Sequence, residues 1–326
     1  MGSDVWEEEG CVLDGEAPEG VFSGQQLEFS VCPEDAGTRM DMFLKNSCPD
    51  LSRSYLQKLL KAGQVDVNGR QVKANYKVSE GDTVKVAVPE AVEPEIVPEP
   101  MDLDIVYEDR DVIVVNKPKG MVVHPAPGHY SGTLVNGLMS HCGDGLSGIN
   151  GVLRPGIVHR IDMDTTGLLI ACKNDMSHTA IAEQLKEHTI VRRYRALVHG
   201  VMEEDEGCVD APVGRHPTDR KRMCVNEKNG RRAVTHYRVL KRFRGFTYIE
   251  CRLETGRTHQ IRVHMADRHH PLVGDFVYGP AKCPFKLQGQ TLHAGVLGFV
   301  HPRTGEYMEF EAPLPEYFEK LLEKLS

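Results

Sequence analysis

Apolar residues follow two rhythms along this chain, and the changes of rhythm mark its elements. Met40, Phe43 and Leu44 recur at helical spacing. Tyr55, Leu56, Leu59 and Leu60 share one face of a second helix, which Ser52 can N-cap and Gly63 can end. Val65 and Val67 then alternate up to an Asn68-Gly69 turn, and Val84, Val86 and Val88 alternate as a further strand. Residues 105–116 read as two strands joined at the acidic turn Glu108-Asp109-Arg110-Asp111. Met121–Val123 reads as a short strand and Thr133–Met139 as a short helix. The glycine-rich residues 141–156 read as a mobile loop. The run Leu168-Leu169-Ile170-Ala171 has the length of a buried strand. Met176–His188 follows as an amphipathic helix with Ala180, Ile181, Leu185 and His188 on one side. Tyr194–Val198, Val234–Leu240, Thr247–Leu253 and Val296–Val300 follow as strands. Strands linked by hairpins and loops, with few helices, predict an α+β fold whose sheet is mixed and mostly antiparallel.

Interruptions of the pattern give the domain organisation. Residues 1–30 are acidic, rich in Gly and Glu and without sustained periodicity, and predict a flexible tail. Residues 31–88 form a small domain of two helices with β-hairpins. In residues 89–100, Pro89, Pro94, Pro98 and Pro100 alternate with Glu90, Glu93, Glu95 and Glu99, which predicts an extended acidic linker. Residues 101–326 form one larger domain.

Charge changes this picture. The chain has 326 residues and a net charge of −8, which argues against an anionic partner until its distribution is considered. Residues 1–38 carry ten acids and no base, so residues 39–326 hold all 39 Lys and Arg against 37 acids. From Arg39 to Val88 there are nine bases against five acids, and from residue 213 to 262 fourteen against four. Clusters of this kind suit phosphate contacts. The second is interleaved with His216, Tyr237, Phe243, Phe246 and Tyr248, some of which suit base stacking and most of which suit a strand core. Nine scattered cysteines, an odd number without a CxxC pair, fit reduced thiols and a cytoplasmic location. No stretch has the roughly 18–20 uncharged apolar residues of a membrane span, and the N-terminus lacks the pattern of a signal peptide.

The candidate chemistry is concentrated in two stretches. In His159-Arg160-Ile161-Asp162-Met163-Asp164-Thr165-Thr166-Gly167, two carboxylates flank one position beside a fixed cation, on a loop that feeds the buried strand. Such a loop is either an Asp-rich turn capping its own backbone or a catalytic carboxylate held by the core, and spacing does not separate Asp162 from Asp164. In Leu253-Glu254-Thr255-Gly256-Arg257-Thr258-His259-Gln260-Ile261-Arg262-Val263-His264, cations and hydrogen-bond donors gather where a strand leads into a helix. Arg257, His259 and Arg262 can there hold a carboxylate ionised or clamp a phosphate. Other chemistries find no support. Lys117-Pro118-Lys119-Gly120 is not a P-loop, there is no GxGxxG, and no Ser or Cys stands in a nucleophile motif. His264, His269 and His270 lack ligand partners at a metal spacing, so no metal and no cofactor is expected.

Taken together, "VNKPKGMVVHPAPG", "HRIDMDTTGLLI", "RRYRALVHG", "LETGRTHQIRVH" and "LHAG" resemble, in order, the signature of the RluA family of pseudouridine synthases. The helix pair with "VDVNGR" and "GDTVKV" resembles an S4-type RNA-binding domain, which makes the chain most similar to the RluD type acting on large-subunit ribosomal RNA. The likeness runs from about residue 36 to the C-terminus. Ile161, Thr166 and Arg192 stand where the family often has Leu, Ser and Lys, changes that keep shape or charge.

The resemblance implies a cofactor-independent isomerase that detaches uracil from C1′ through N1 and rejoins it through C5. Asp162 would be the catalytic carboxylate, Arg262 its partner and Tyr194 the ring that stacks on a flipped uridine. His159, Arg160 and Thr166 would shape the loop and its RNA contacts, and Leu292 would floor the base. Arg53, Lys58 and Lys61 would give the S4-like helix pair its basic platform. Asp164 would bond its own loop backbone. The implied partner is RNA, large-subunit rRNA or a pre-ribosomal particle, with no membrane and with the chain as a monomer; the intersubunit stem-loop of 23S rRNA is the implied target. Two rivals use the same residues: a non-catalytic RNA-binding protein, and an N-glycoside hydrolase with Asp162 and Asp164 as a carboxylate pair.

Overall fold

The computed structural model describes residues 24–49, 51–89, 96–126, 128–143, 145–149, 151, 154–219 and 222–326. The chain divides into two compact units, residues 1–94 and 95–326. The first contains β1 (Gln26–Ser30), α1 (Met40–Ser47), α2 (Arg53–Lys61), β2 (Val65–Val67), β3 (Arg70–Gln71) and β4 (Thr83–Ala87). Its antiparallel sheet has the order β1-β4-β2-β3. The Ser52 hydroxyl accepts the Tyr55 N–H at 3.2 Å, starting α2 as its sequence predicts. Asn68 and Gly69, at φ 50° and 78°, make the tight turn between β2 and β3. The apolar faces of both helices pack with Val65, Val67, Val84 and Val86.

Two expectations about this region are corrected. Of the expected tail 1–30, residues 1–23 lie outside the described residues, but Gln26–Ser30 are β1, paired antiparallel with β4. Two apolar residues, Leu27 and Phe29, alternate too briefly to stand out from the acidic composition, and the neighbouring strand supplies what they lack alone. Residues 90–95 of the expected linker also lie outside the described residues. Residues 96–100 belong to the second unit: Ile96 is buried in its core, and the Asn136 side chain donates to the Val97 carbonyl at 2.8 Å.

The second unit begins with β5 (Ile105–Glu108), β6 (Val112–Lys117), α3 (Leu134–Cys142), β7 (Thr166–Cys172), α4 (Asp175–Lys186), β8 (Val191–His199) and β9 (Glu206–Asp210). It continues through β10 (Val213–Arg215), β11 (Met223–Val225), β12 (Val234–Phe243), β13 (Phe246–Leu253), α5 (Gln260–Asp267), β14 (Leu292–Val300), β15 (Tyr307–Glu311) and α6 (Glu316–Leu325). Nine strands form one sheet, ordered β5-β6-β7-β14-β8-β13-β12-β9, with β15 also on β14. β7 and β14 run parallel, and the other ladders are antiparallel. Every residue of β7 is buried because the sheet is covered on both faces here. Leu169 and Ala171 enter one core, with Tyr194 and Leu292, while Leu168 and Ile170 enter the other, with Leu297 and Phe299. The run Leu168–Ala171 is apolar without alternation for that reason.

Three loop and helix details differ from expectation. Met121–Val123 is not a strand; the Val122 and Val123 carbonyls accept the first N–H groups of α3. The glycine-rich loop is anchored where it is described. Ser147 N–H donates to the Cys172 carbonyl at 3.1 Å, and Cys172 N–H to the Gly156 carbonyl at 2.8 Å. The C-terminal α6, not anticipated, packs Phe318 and Leu321 against Leu197, Phe243 and Val273.

Gly167 lies where β7 meets β14. Its φ is +109°, and a Cβ there would sit 2.2 Å from the Ala294 carbonyl oxygen. Gly167→Ala should lower the stability of the protein by about 3 kcal/mol, combining left-handed strain with a backbone clash. Urea unfolding of the full chain measures this, and a loss under about 1 kcal/mol would contradict the packing described.

Candidate active site

The loop carrying Asp162 is held from three sides. Thr165 N–H donates to the Asp162 carbonyl at 3.0 Å, closing a tight turn. The Met163 carbonyl accepts from Gly120 N–H at 3.0 Å and from Lys117 Nζ at 2.9 Å. Lys117 is fully buried and donates also to the Pro118 and Met121 carbonyls, so each ammonium proton has an acceptor. Burial pulls its pKa down to about 7 against the attraction of Asp162 and Asp164. Gln290 donates to the Thr165 hydroxyl at 3.1 Å.

The neighbouring motif residues serve the loop from inside. His159 Nε2 accepts the Ile170 N–H at 3.2 Å, and burial pushes this imidazole to about 3, so it is a neutral latch onto β7. The Thr166 hydroxyl lies 2.8 Å from His293 Nδ1, buried between β7 and β14. The Thr166 hydroxyl is therefore enclosed, while His159 keeps partial exposure beside its bond to β7. Arg160 is exposed, with Nη1 3.4 Å from His124 Nε2.

Asp162 meets α5 across the loop. Arg262 Nη1 donates to Asp162 Oδ2 at 2.9 Å, while its Nε and Nη2 hold Asp275 at 2.7 and 3.0 Å. The guanidinium is thus buried between two carboxylates. Burial works against its charge, but the Asp275 hydrogen bond and the charges of Asp162 and Asp275 prevail and raise its pKa. Burial likewise pushes the Asp162 carboxyl up; His259 and Arg262, the Arg262 hydrogen bond and Arg160 outweigh it, so Asp162 titrates below the usual aspartate value. Its Oδ1 accepts no hydrogen bond among the described residues and lies 3.8 Å from His259 Nε2. One carboxylate oxygen is pinned and the other is available.

Asp164 does not bond its loop backbone. Its Oδ1 is buried without a hydrogen-bond partner among the described residues, and the carboxyl packs under the Gly289 turn, where a Cβ would lie 2.2 Å from Oδ2. Burial raises its pKa, and the charges of Lys119, Lys117 and Arg262 only partly offset this. Lys119 itself is drawn down to about 8 by burial, donates to the Gln290 carbonyl at 3.2 Å and lies 4.0 Å from the Tyr317 ring centre. The two carboxylates of the motif therefore occupy different environments.

Strand register brings in the ring. Tyr194 on β8 pairs with Ala294 on β14, which pairs on its other side with Gly167 on β7. Tyr194 is 7% exposed and shares a core cluster with Ile161 and Leu292. Arg192, on the same side of β8, is buried and donates to the Glu254 carbonyl at 3.1 Å. Arg257 lies at the approach to α5, its N–H on Gln260 Oε1 at 2.9 Å and its Nε on the Arg232 carbonyl at 3.1 Å.

Sequence reasoning missed Asp275 and Tyr278. Asp275 Oδ1 accepts the N–H groups of Val277 and Tyr278 at 3.0 and 3.1 Å, a turn that points Tyr278 back toward Arg262, 5.1 Å from its ring centre. The signal available was the Gly-Asp pair ahead of an aromatic in "VGDFVYG", a pattern that reads as an ordinary turn.

The wider basic cluster is partly neutralised by acids inside and outside its own stretch. Arg242 pairs with Asp205, and Arg232 with Asp210 and Glu254. Arg220 and Lys221 lie outside the described residues. In the first unit, Arg53, Lys58 and Lys61 all lie exposed on α2. Two of the histidines considered as metal ligands are engaged elsewhere: His264 Nδ1 and Nε2 lie 2.9 Å from the Thr235 hydroxyl and the Ala211 carbonyl, and His270 Nδ1 lies 2.8 Å from the His199 carbonyl. Among the described residues the one grouping with ligand-like spacing is Asp109, Asp111 and His301, and Arg303 already holds both oxygens of Asp111 at 2.6 Å.

The ion pairs make a stability prediction. Asp162→Asn leaves Arg262 paired with Asp275 and should fold normally. Arg262→Met strands two carboxylates in a buried site and should cost about 3–5 kcal/mol. Urea unfolding of both variants checks this; a cost under about 1 kcal/mol for Arg262→Met would contradict the pairing.

The fold sets a paired, half-buried carboxylate on a sheet-borne loop and adds a separate unit with a basic helix, and comparison with known proteins gives the class. Residues 111–267 match the RNA pseudouridylate synthase family model, and residues 38–84 match the S4 domain. The chain is 59% identical over 300 residues to the uncharacterized RNA pseudouridine synthase YlyB of Bacillus subtilis, covering 92% of this chain and 98% of that one. It is 44% identical over 308 residues to ribosomal large subunit pseudouridine synthase D of Zymomonas mobilis, covering 91% and 97%. The solved structure of human RNA pseudouridylate synthase domain containing 1 matches with a TM-score of 0.53 and 25% identity, over 70% of this chain and 97% of that one. The chain belongs to the RNA pseudouridine synthases, in the RluA family with an N-terminal S4 domain. It is an isomerase of RNA. No helix among the described residues is long and apolar enough to cross a membrane.

Proposed function

We propose that Asp162 is the catalytic carboxylate of this synthase and that its substrate is large-subunit ribosomal RNA. The observation that carries the first part is the asymmetric hold on Asp162. Arg262 fixes Oδ2 and favours the ionised group, while Oδ1 of this part-exposed side chain accepts no hydrogen bond among the described residues. An ionised carboxylate with one free oxygen suits an electron-poor sugar carbon.

In the isomerisation the N1–C1′ bond breaks, the uracil turns, and a C5–C1′ bond forms. The hydrogen at C5 leaves as a proton, and N1 ends protonated, so no atoms are gained overall. The base must stay in the site between the two bonds. Tyr194, Leu292 and Ile161 provide the apolar surroundings and the ring face that would retain it once it has left its stack. Asp164 is not a second acid for hydrolysis in this reading. Its carboxyl is packed beneath Gly289 beside Lys119, so it supports the loop electrostatically.

The RNA assignment draws on the S4 domain, whose α2 exposes Arg53, Lys58 and Lys61, and on the relatives named large-subunit synthases. The intersubunit stem-loop of 23S rRNA is the target we favour, and cytoplasmic work on free rRNA or pre-ribosomal particles follows from it. Comparing pseudouridines in rRNA from strains with and without this chain tests that target.

Asp162→Asn should lower pseudouridine formation by about 10³-fold or more while rRNA-fragment binding stays within about twofold. Turnover near wild type would remove Asp162 from the chemistry. Replacing Arg53, Lys58 and Lys61 by Ala should weaken binding and reduce the salt slope of log K by about 1 for each lost phosphate contact. An unchanged slope would remove α2 from the RNA surface.

A further inference from the structure

His259 stands at the N-cap of α5 with a left-handed backbone, φ 56° and ψ 19°, a conformation uncommon outside glycine that His188 and His269 also adopt in this chain. The conformation brings its ring beside Asp162, with Nε2 3.8 Å from Oδ1. On the other side, Nδ1 lies 2.8 Å from the Tyr278 hydroxyl, with the two rings edge to face at 5.6 Å.

The Tyr278 hydroxyl has one proton to give. It accepts the Met223 N–H at 2.9 Å, and His259 Nδ1 is its one acceptor among the described residues. The arrangement that uses the Tyr278 proton within the protein turns it to Nδ1, which then carries a lone pair, and the ring hydrogen of a neutral imidazole is then on Nε2. Burial lowers the His259 pKa and so favours the neutral ring, against the charge of Asp162 and with that of Arg262; Asp275 and Arg160 act in the same two senses.

We infer that Tyr278 is a positioning residue that fixes the tautomer of His259, so that the imidazole turns an N–H, and not a lone pair, toward Asp162. Arg262 then holds one carboxylate oxygen and the His259 N–H faces the other, which sets the plane of the carboxylate against the sugar. With the opposite tautomer a lone pair would face the carboxylate and push it away. Met223 lies on β11, so the seat of the β10–β11 hairpin is tied to the same chain of groups. Arg222, beside that strand, lies 5.4 Å from the Tyr278 ring centre. Tyr278 acts through His259 and touches no reacting atom.

The test has one arm on the protein alone and one on the reaction, and only the second rests on the synthase reading. In the full chain labelled with ¹⁵N-histidine, long-range ¹H–¹⁵N spectra report the tautomer of His259, assigned by its absence in His259→Gln. The wild type should show Nε2 protonated and Nδ1 bare. Tyr278→Phe, which keeps the ring beneath Arg262, should shift His259 toward the Nδ1–H form. A wild-type Nδ1–H tautomer, or no change in Tyr278→Phe, would overturn the inference. In single-site kinetics Tyr278→Phe should lower kcat about tenfold, with KM for RNA within about twofold. Unchanged kcat, or a rise in KM alone, would also overturn it. A wild type that forms no pseudouridine would instead defeat the synthase reading and leave the tautomer result standing.

Discussion

One guanidinium between two carboxylates organises the catalytic unit. Arg262 makes two hydrogen bonds to Asp275 and one to Asp162, so the three groups together carry one negative charge. At about 3 Å and an effective dielectric near 20, each pair attracts by roughly 5 kcal/mol, and removing each ion from water costs several kcal/mol. The cluster holds only because both carboxylates share one cation. Asp275, fully buried and doubly bonded, takes the structural part of that arrangement. Asp162, one-fifth exposed and singly bonded, is left with the surplus charge at the mouth of the site.

The rest of the unit is built to keep that surplus charge in place. β7 and β14 run parallel so that the Asp162 loop, Tyr194 on β8 and the core around Leu292 come together within three adjacent strands. Lys117 ties the loop by its Met163 carbonyl, and Gln290 ties it by Thr165. The carboxylate is therefore positioned by a buried lysine, a glutamine and an arginine that come from widely separated parts of the chain. Preorganised groups of this kind need little rearrangement when charge develops in the substrate.

Much of this was legible in the sequence, and the parts that were not share a physical cause. Periodicity gave α1, α2, the Asn68-Gly69 turn and β7, because each is decided by local apolar spacing and turn chemistry. Asp162, Arg262 and Tyr194 could be named only through the family signature, since spacing treats Asp162 and Asp164 alike. Asp164 was misread because its environment comes from Lys119 and Gly289, which are far away in sequence. Asp275 and Tyr278 went unseen for the same reason: their roles exist only once α5 and the β10–β11 hairpin are folded against them. β1 has two apolar residues and depends on β4 for its pairing, so its own pattern was too weak to read.

The central claim is that an ionised Asp162 moves a uracil from N1 to C5 attachment without letting it go. Because the hydrogen at C5 must leave when that carbon joins the sugar, RNA carrying tritium at C5 of uridine follows the reaction directly. With an rRNA fragment labelled in this way, the protein should release tritium to water in proportion to the pseudouridine formed, with no free uracil. Free uracil in place of released tritium would make the site a hydrolase and contradict the account.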